Sequence, residues 1–168
     1  DVKNSAHIIL DNEKQIKFLR GKVGMMNLFP TANSAFAKLL TQTFKLATEK
    51  SSIQSFDSKD LERCMKTQKR MVVGTTVIKD PGVANLGSMI LQNCLKRSPC
   101  PDVREKAKTG ALLLVVTPEM ANDPEISQHL DAAISYVGGR AETLFSGVYI
   151  RDNIPGLVAI TLMGGLKQ

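Results

Sequence analysis

The chain predicts an α/β fold: a long connector helix, then a small mixed β-sheet of about four strands flanked by helices, its last two strands antiparallel. Three observations carry that expectation. From residue 70 onward, β-branched or apolar runs alternate with amphipathic patterns in the order strand, helix, strand, helix, strand, strand. Between Pro30 and Thr48, Phe36, Leu39, Leu40, Thr43, Phe44 and Ala47 recur at the three- and four-residue spacing of one helix face. Turn chemistry falls between these segments, at Asp80-Pro81-Gly82, at Ser98-Pro99-Cys100-Pro101-Asp102 and at Gly138-Gly139.

Taken in order, Ala6-His7-Ile8-Ile9-Leu10 is a short apolar run expected to form a buried strand, closed by Asp11 and Asn12. Asn12 can cap a helix over 13–20, with Glu13 in its first turn. Pro30 suits the first turn of the long helix, where its missing N–H costs nothing. The polar stretch Glu49 to Gln54 leads into Ser55-Phe56-Asp57-Ser58-Lys59-Asp60-Leu61, where a loop becomes a short helix of about 58–67 with Leu61, Cys64 and Met65 inward. Met71 to Ile78 is β-branched and reads as a strand. A helix near 82–96 aligns Leu86, Met89, Ile90 and Cys94, and the charged stretch 102–109 is expected to be an exposed loop. Leu112 to Val116 forms the most buried-looking strand, and Pro118 and Asp123-Pro124 bracket a loop. Pro124 opens an amphipathic helix with the stripe Ile126, Leu130, Ala133, Ile134 and Val137. Strands over 143–150 and 157–163 follow, and Arg151-Asp152-Asn153-Ile154-Pro155-Gly156 between them suggests a hairpin.

At 168 residues and 43% hydrophobic, the chain can bury a substantial core, as one domain with an extra N-terminal portion. With no Trp, that core must be aliphatic, filled out by seven Met. The net charge of +6 suits an acidic partner surface, nucleic acid or plain solubility. Basic clusters (Lys66, Lys69, Arg70; Lys96, Arg97) are small and not interleaved with aromatics, which argues against dedicated nucleic-acid binding. Cys64, Cys94 and Cys100 form no CxxC and read as free thiols in a reducing, cytoplasmic setting. The longest apolar run, Ala111 to Val116, falls far short of a bilayer span, so no membrane insertion is expected. The first residue is Asp, not Met, as a cut or processed piece of a longer polypeptide would have it.

Asp57 and Asp60 lie three positions apart where the loop turns into a helix. Such a pair caps the helix and complements its dipole, and it can also face a common outside target. Other chemistry is poorly served. His7 sits in an apolar strand and reads as a core residue, no GxSxG is present, and the cysteines lack zinc spacing, so no metal site is expected. Nor is there a Walker or GGGTG-type phosphate loop: Val137-Gly138-Gly139-Arg140 ends a helix and Met163-Gly164-Gly165 follows a strand.

Three pieces in this order, Leu10-Asp11-Asn12-Glu13, Phe29-x-x-x-Asn33 at the opening of the long helix, and SFDSKDL at 55–61, resemble the second half of the tubulin/FtsZ superfamily of filament-forming GTPases. The LDNE turn looks like the tubulin segment that follows a strand and touches guanine. Phe29 and Asn33 match the aromatic and the amide or carboxylate that hold the base. SFDSKDL is similar to NLDFADV, the loop whose aspartates FtsZ inserts into the nucleotide site of the next subunit; Ser55 departs from the Asn often found there. The order of elements matches across the whole chain, at low identity.

The resemblance implies a fold like the tubulin/FtsZ C-terminal domain, with Asp57 and Asp60 catalytic and Asn12, Phe29 and Asn33 nucleotide-binding. Residues 1–54 would hold the end of the nucleotide-binding portion and the central helix, and 55–168 the catalytic loop and an α/β assembly domain. It implies GTP, with Mg, bound mainly by an N-terminal domain outside this chain, so that the chain alone is inactive. Its partners would be further copies stacked head to tail, and adaptor proteins, in cell division, DNA segregation or cell shape. The same residues also allow a small basic α/β adaptor module without nucleotide chemistry, in which Asp57 and Asp60 cap a helix, Phe29 is a hydrophobic staple, Asn12 a cap and Asn33 a surface residue.

Overall fold

The structure, a computed structural model, describes residues 7–9, 27–29, 42, 45–46, 56–66, 69–95 and 106–166. Its strands are β1 (His7–Ile9), β2 (Asn27–Phe29), β3 (Lys69–Ile78), β4 (Ala107–Val116), β5 (Ala141–Ile150) and β6 (Leu157–Leu166). They form one mixed sheet in the order β1-β2-β3-β6-β4-β5. β1, β2 and β3 pair in parallel, as do β4 and β5, while β6 runs antiparallel to both β3 and β4. Four long strands thus make the mixed sheet that the sequence predicts, and two short ones extend it. Of the long helix expected over 30–48, Gln42, Lys45 and Leu46 are described, and all are helical.

The hairpin expected at 151–156 is not formed. β6 does run opposite to β5, but it lies between β3 and β4, so the loop carries the chain past β4. The physical reason is in the side chains. Leu157, Ala159, Ile160, Thr161, Leu162 and Met163 are all buried, so both faces of β6 are covered, as in a central strand. β5, with Glu142 and Thr143 exposed, takes the edge.

Two further expectations shift. β4 begins at Ala107, inside the stretch predicted as exposed loop, because Ala107 is buried while Lys108 faces solvent. A short helix, Pro118–Asn122, replaces the loop after β4: Thr117 caps it by accepting the Met120 N–H at 3.2 Å. Asp123 caps the next helix, Pro124–Gly138, in the same way, through the N–H groups of Glu125 (2.9 Å) and Ile126 (3.3 Å). Thr117-Pro118-Glu119 and Asp123-Pro124-Glu125 are the same start signal written twice.

From residue 56 on, the helices among the described residues are, in chain order, α1 (Ser58–Lys66), α2 (Leu86–Leu95), α3 (Pro118–Asn122) and α4 (Pro124–Gly138). α2 and α4 cover one face of the sheet and α1 packs on β4 and β6. Alternation along β4 splits its side chains: Leu112, Leu114 and Val116 join the core under α2 and α4, and Ala111, Leu113 and Val115 the core that holds Leu46, Phe56, Leu61 and Cys64.

Candidate functional site: the acidic start of α1

The start of α1 is fixed from below and from within. Leu61 and Cys64, three apart and on one side, are buried against the sheet, whereas Asp57, Lys59 and Arg63 are exposed. Phe56, 1% exposed, pins the residue before the helix. It lies over Gly147 of β5, where an added Cβ would come within 2.7 Å of the Phe56 Cβ. Two residues along the same face, the buried Tyr149 hydroxyl donates to the Phe56 carbonyl at 3.0 Å. A strand tyrosine buried to its tip needs such an acceptor.

Asp57 and Asp60 then cap each other's backbone. Asp57 Oδ1 accepts the N–H groups of Lys59 and Asp60, each at 2.9 Å, and Asp60 Oδ2 accepts the Asp57 N–H at 3.2 Å. This is a capping box with Asp in both roles. It engages one oxygen of each carboxylate. Among the described residues Asp57 Oδ2 and Asp60 Oδ1 have no hydrogen-bond partner, so both can accept from an outside donor.

The groups beneath the pair are held protonated. Burial, and then the Asp60 charge, push the Cys64 thiol up to about 12, and its Sγ contacts the Gly110 carbonyl at 3.8 Å. Tyr149 is also raised, by burial first and then by Asp60 and Asp57. Neither is a nucleophile at neutral pH. At this helix head Asp57 and Asp60 offer two hydrogen-bond acceptors, with Lys59 and Arg63 exposed beside them.

Asp57 and Asp60 therefore share one site, Asp57 exposed and Asp60 half-buried. Phe29 is placed differently from the expectation: it ends β2 instead of opening the long helix. Pro30 explains this, since a residue before proline is pushed out of the helical region towards β. Asn12, Asn33 and Ser55 lie outside the described residues. Tyr149 and Gly147 were missed in the sequence; a tyrosine two residues after a glycine in a buried strand was the available signal. Among the described residues no group of three or more His, Cys, Asp or Glu could hold a metal ion, and no helix is long and apolar enough to cross a membrane.

No family model and no curated protein matches the sequence. Solved structures do. The FtsZ dimer of M. jannaschii matches with a TM-score of 0.60 at 13% identity, over 97% of this chain and 55% of that one. GDP-form protofilaments of Bacillus thuringiensis serovar israelensis TubZ match with a TM-score of 0.61 at 12% identity, over 98% and 54%. The chain shares its fold with about half of each of these FtsZ and TubZ structures. CetZ from Methanosaeta thermophila matches too, with a TM-score of 0.61 at 12% identity, over 97% of this chain and 52% of that one. The chain spans about half the length of each of these structures.

Proposed function

We propose that this chain is the C-terminal part of a filament-forming GTPase and that Asp57 and Asp60 complete the GTP site of the next subunit. One observation carries this reading: a carboxylate pair, each side chain holding a helix-start N–H through one oxygen and leaving the other unengaged among the described residues, on a fold shared with TubZ solved as GDP-form protofilaments. Neighbours solved as GDP-bound CetZ1 and as a GTPγS-form TubZ protofilament support a guanine nucleotide as the ligand.

Hydrolysis of GTP needs a water placed in line with the γ-phosphate. An unengaged oxygen of Asp57 or Asp60 would accept a hydrogen bond from that water and draw its proton, a role worth roughly two to four decades in rate. A carboxylate fixed beside a polyphosphate in the same subunit would repel it at all times. Supplied by a neighbour, it arrives only on assembly, so turnover follows filament formation. Residues 1–54 would then end the nucleotide-binding portion, with Asn12, Phe29 and Asn33 against the guanine, and 55–168 would form the catalytic loop and assembly domain. GTP phosphates and Mg would be held by a domain outside this chain. Division, DNA segregation and cell shape are the processes such a filament serves, in the cytoplasm and with adaptors.

The capping box also supports the second reading, a protein-binding adaptor whose aspartates only stabilise a helix. Substituting Asn separates the two, because Asn caps as well as Asp but carries no charge. In the full-length gene product, Asp57→Asn and Asp60→Asn are expected to keep the fold and lower phosphate release from GTP by about 10²-fold or more. Wild-type specific activity should rise cooperatively with protein concentration. Unchanged turnover in both variants, or no turnover at any concentration, favours the adaptor.

A further inference from the structure

One peptide unit is hydrogen-bonded at both of its ends. The carbonyl of Phe56 accepts from the buried hydroxyl of Tyr149 at 3.0 Å, and the N–H of the same peptide, belonging to Asp57, donates to Asp60 Oδ2 at 3.2 Å. Such a chain polarises each bond through the next. It also fixes a plane: the peptide can turn neither way without breaking one bond. Phe56 sits against Gly147 and Tyr149 rises two residues further on the same strand face, so the ring that carries the hydroxyl cannot drift.

We infer that Tyr149 is a positioning residue for the acidic site, orienting the Phe56–Asp57 peptide and through it the Asp60 carboxylate. The inference rests on the proposed GTPase role of the pair. Tyr149 touches no substrate; it acts across 93 residues of sequence through one backbone unit. It stays a donor throughout the working pH range, because burial and the two nearby carboxylates hold its proton. Without the hydroxyl, a buried carbonyl loses its partner, and its easiest relief is a rotation of the peptide that carries Asp57.

The test is Tyr149→Phe in the full-length protein, which keeps the ring and removes one oxygen. Phosphate release per assembled subunit should fall roughly tenfold, since small misplacements of a positioning group cost one to two decades. The concentration needed for assembly should stay unchanged, a split that general loosening of the fold would not give. Combined with Asp60→Asn, Tyr149→Phe should add nothing further. If Tyr149→Phe turns over at the wild-type rate while Asp57→Asn and Asp60→Asn are slowed, the positioning role is wrong and the GTPase reading survives. If the aspartate variants also turn over normally, the GTPase reading itself fails. A rise in the assembly concentration matching the loss in rate would also overturn the inference.

Discussion

Leu112 and Leu113 are neighbours in β4 and both are fully buried, yet they belong to opposite faces of the sheet. Leu112 lies under α2 and α4 with Ile90, Leu130, Ala133, Val137, Leu157 and Met163, a mainly aliphatic layer in which the Cys94 thiol is hydrogen-bonded with Thr161. Leu113 lies with Phe56, Leu61, Cys64 and Tyr149, a smaller cluster in which a hydroxyl, a thiol and a main-chain carbonyl are also buried and paired. The contrast assigns different tasks to the two faces. One stabilises the domain without regard to direction; the other must hold a particular peptide and a pair of carboxylates in a particular orientation.

The largest expected effects come from cutting each layer. Leu112→Ala and Leu113→Ala should each destabilise the fold by about 2–5 kcal/mol, the usual loss for emptying a fully buried leucine site. Denaturant unfolding of the two variants measures this. On the proposed GTPase reading they should part company in function: in the full-length protein, under conditions where both are folded, Leu112→Ala should keep the GTP turnover per assembled subunit and Leu113→Ala should lose part of it. Equal turnover in the two would break the division of labour between the faces.

How far the sequence reveals this arrangement depends on what each face asks of it. The helix-bearing face is written in periodicity. Ile126, Leu130, Ala133 and Val137 show the buried stripe of α4, and Gly138-Gly139 its end, where the Gly139 N–H returns to Ser135 and Tyr136 carbonyls. The start of α1 was legible for a similar reason, since Asp57-x-x-Asp60 is a local capping pattern whose bonds span three residues. Strand order was not legible. The insertion of β6 between β3 and β4 depends on pairing residues far apart, such as Ala111 with Leu162, while Asn153-Ile154-Pro155-Gly156 imitates a local hairpin turn. The apolar run Leu157–Met163, interrupted only by Thr161, was the available clue, because an edge strand would alternate. The link from Tyr149 to Phe56 was hidden likewise, being a contact across 93 residues.

A smaller change probes the same boundary from the other side. Gly147→Ala places a methyl within 2.7 Å of the Phe56 Cβ and 3.0 Å of the Tyr149 ring, so Phe56 must move. Overpacking of this kind costs about 1–3 kcal/mol. On the proposed GTPase reading, the loss in turnover of the full-length protein should exceed what that stability change explains, since the displaced residue leads directly into Asp57. Gly87, where α2 approaches α4, is the control: a methyl there meets the Tyr136 Cβ at 2.8 Å, and Gly87→Ala should destabilise the fold while sparing turnover.

The thiols give the finest comparison, one on each face. Burial raises Cys64 from 9.0 to about 12, with Asp60 adding to it, whereas Cys94 reaches about 11 because hydrogen bonds with Thr161 oppose its burial. Both native thiols keep a proton that the unfolded chain gives up near 9.0. Between that pH and the native value the unfolded state binds fewer protons, so stability falls as pH rises. The slope is at most about 1.4 kcal/mol per pH unit for each thiol. Cys64→Ala should therefore flatten the alkaline arm of the stability curve more than Cys94→Ala does, after each variant's own loss of packing is measured at pH 7. Thiol labelling of a Cys100→Ser background at pH 8 checks the same point kinetically. If both faces are as closed as their burial implies, labelling proceeds only at the rate of global unfolding. Should Cys64 react faster than Cys94, the face beneath the acidic site opens by itself, and the rigidity ascribed to Phe56 and Tyr149 would have to be given up.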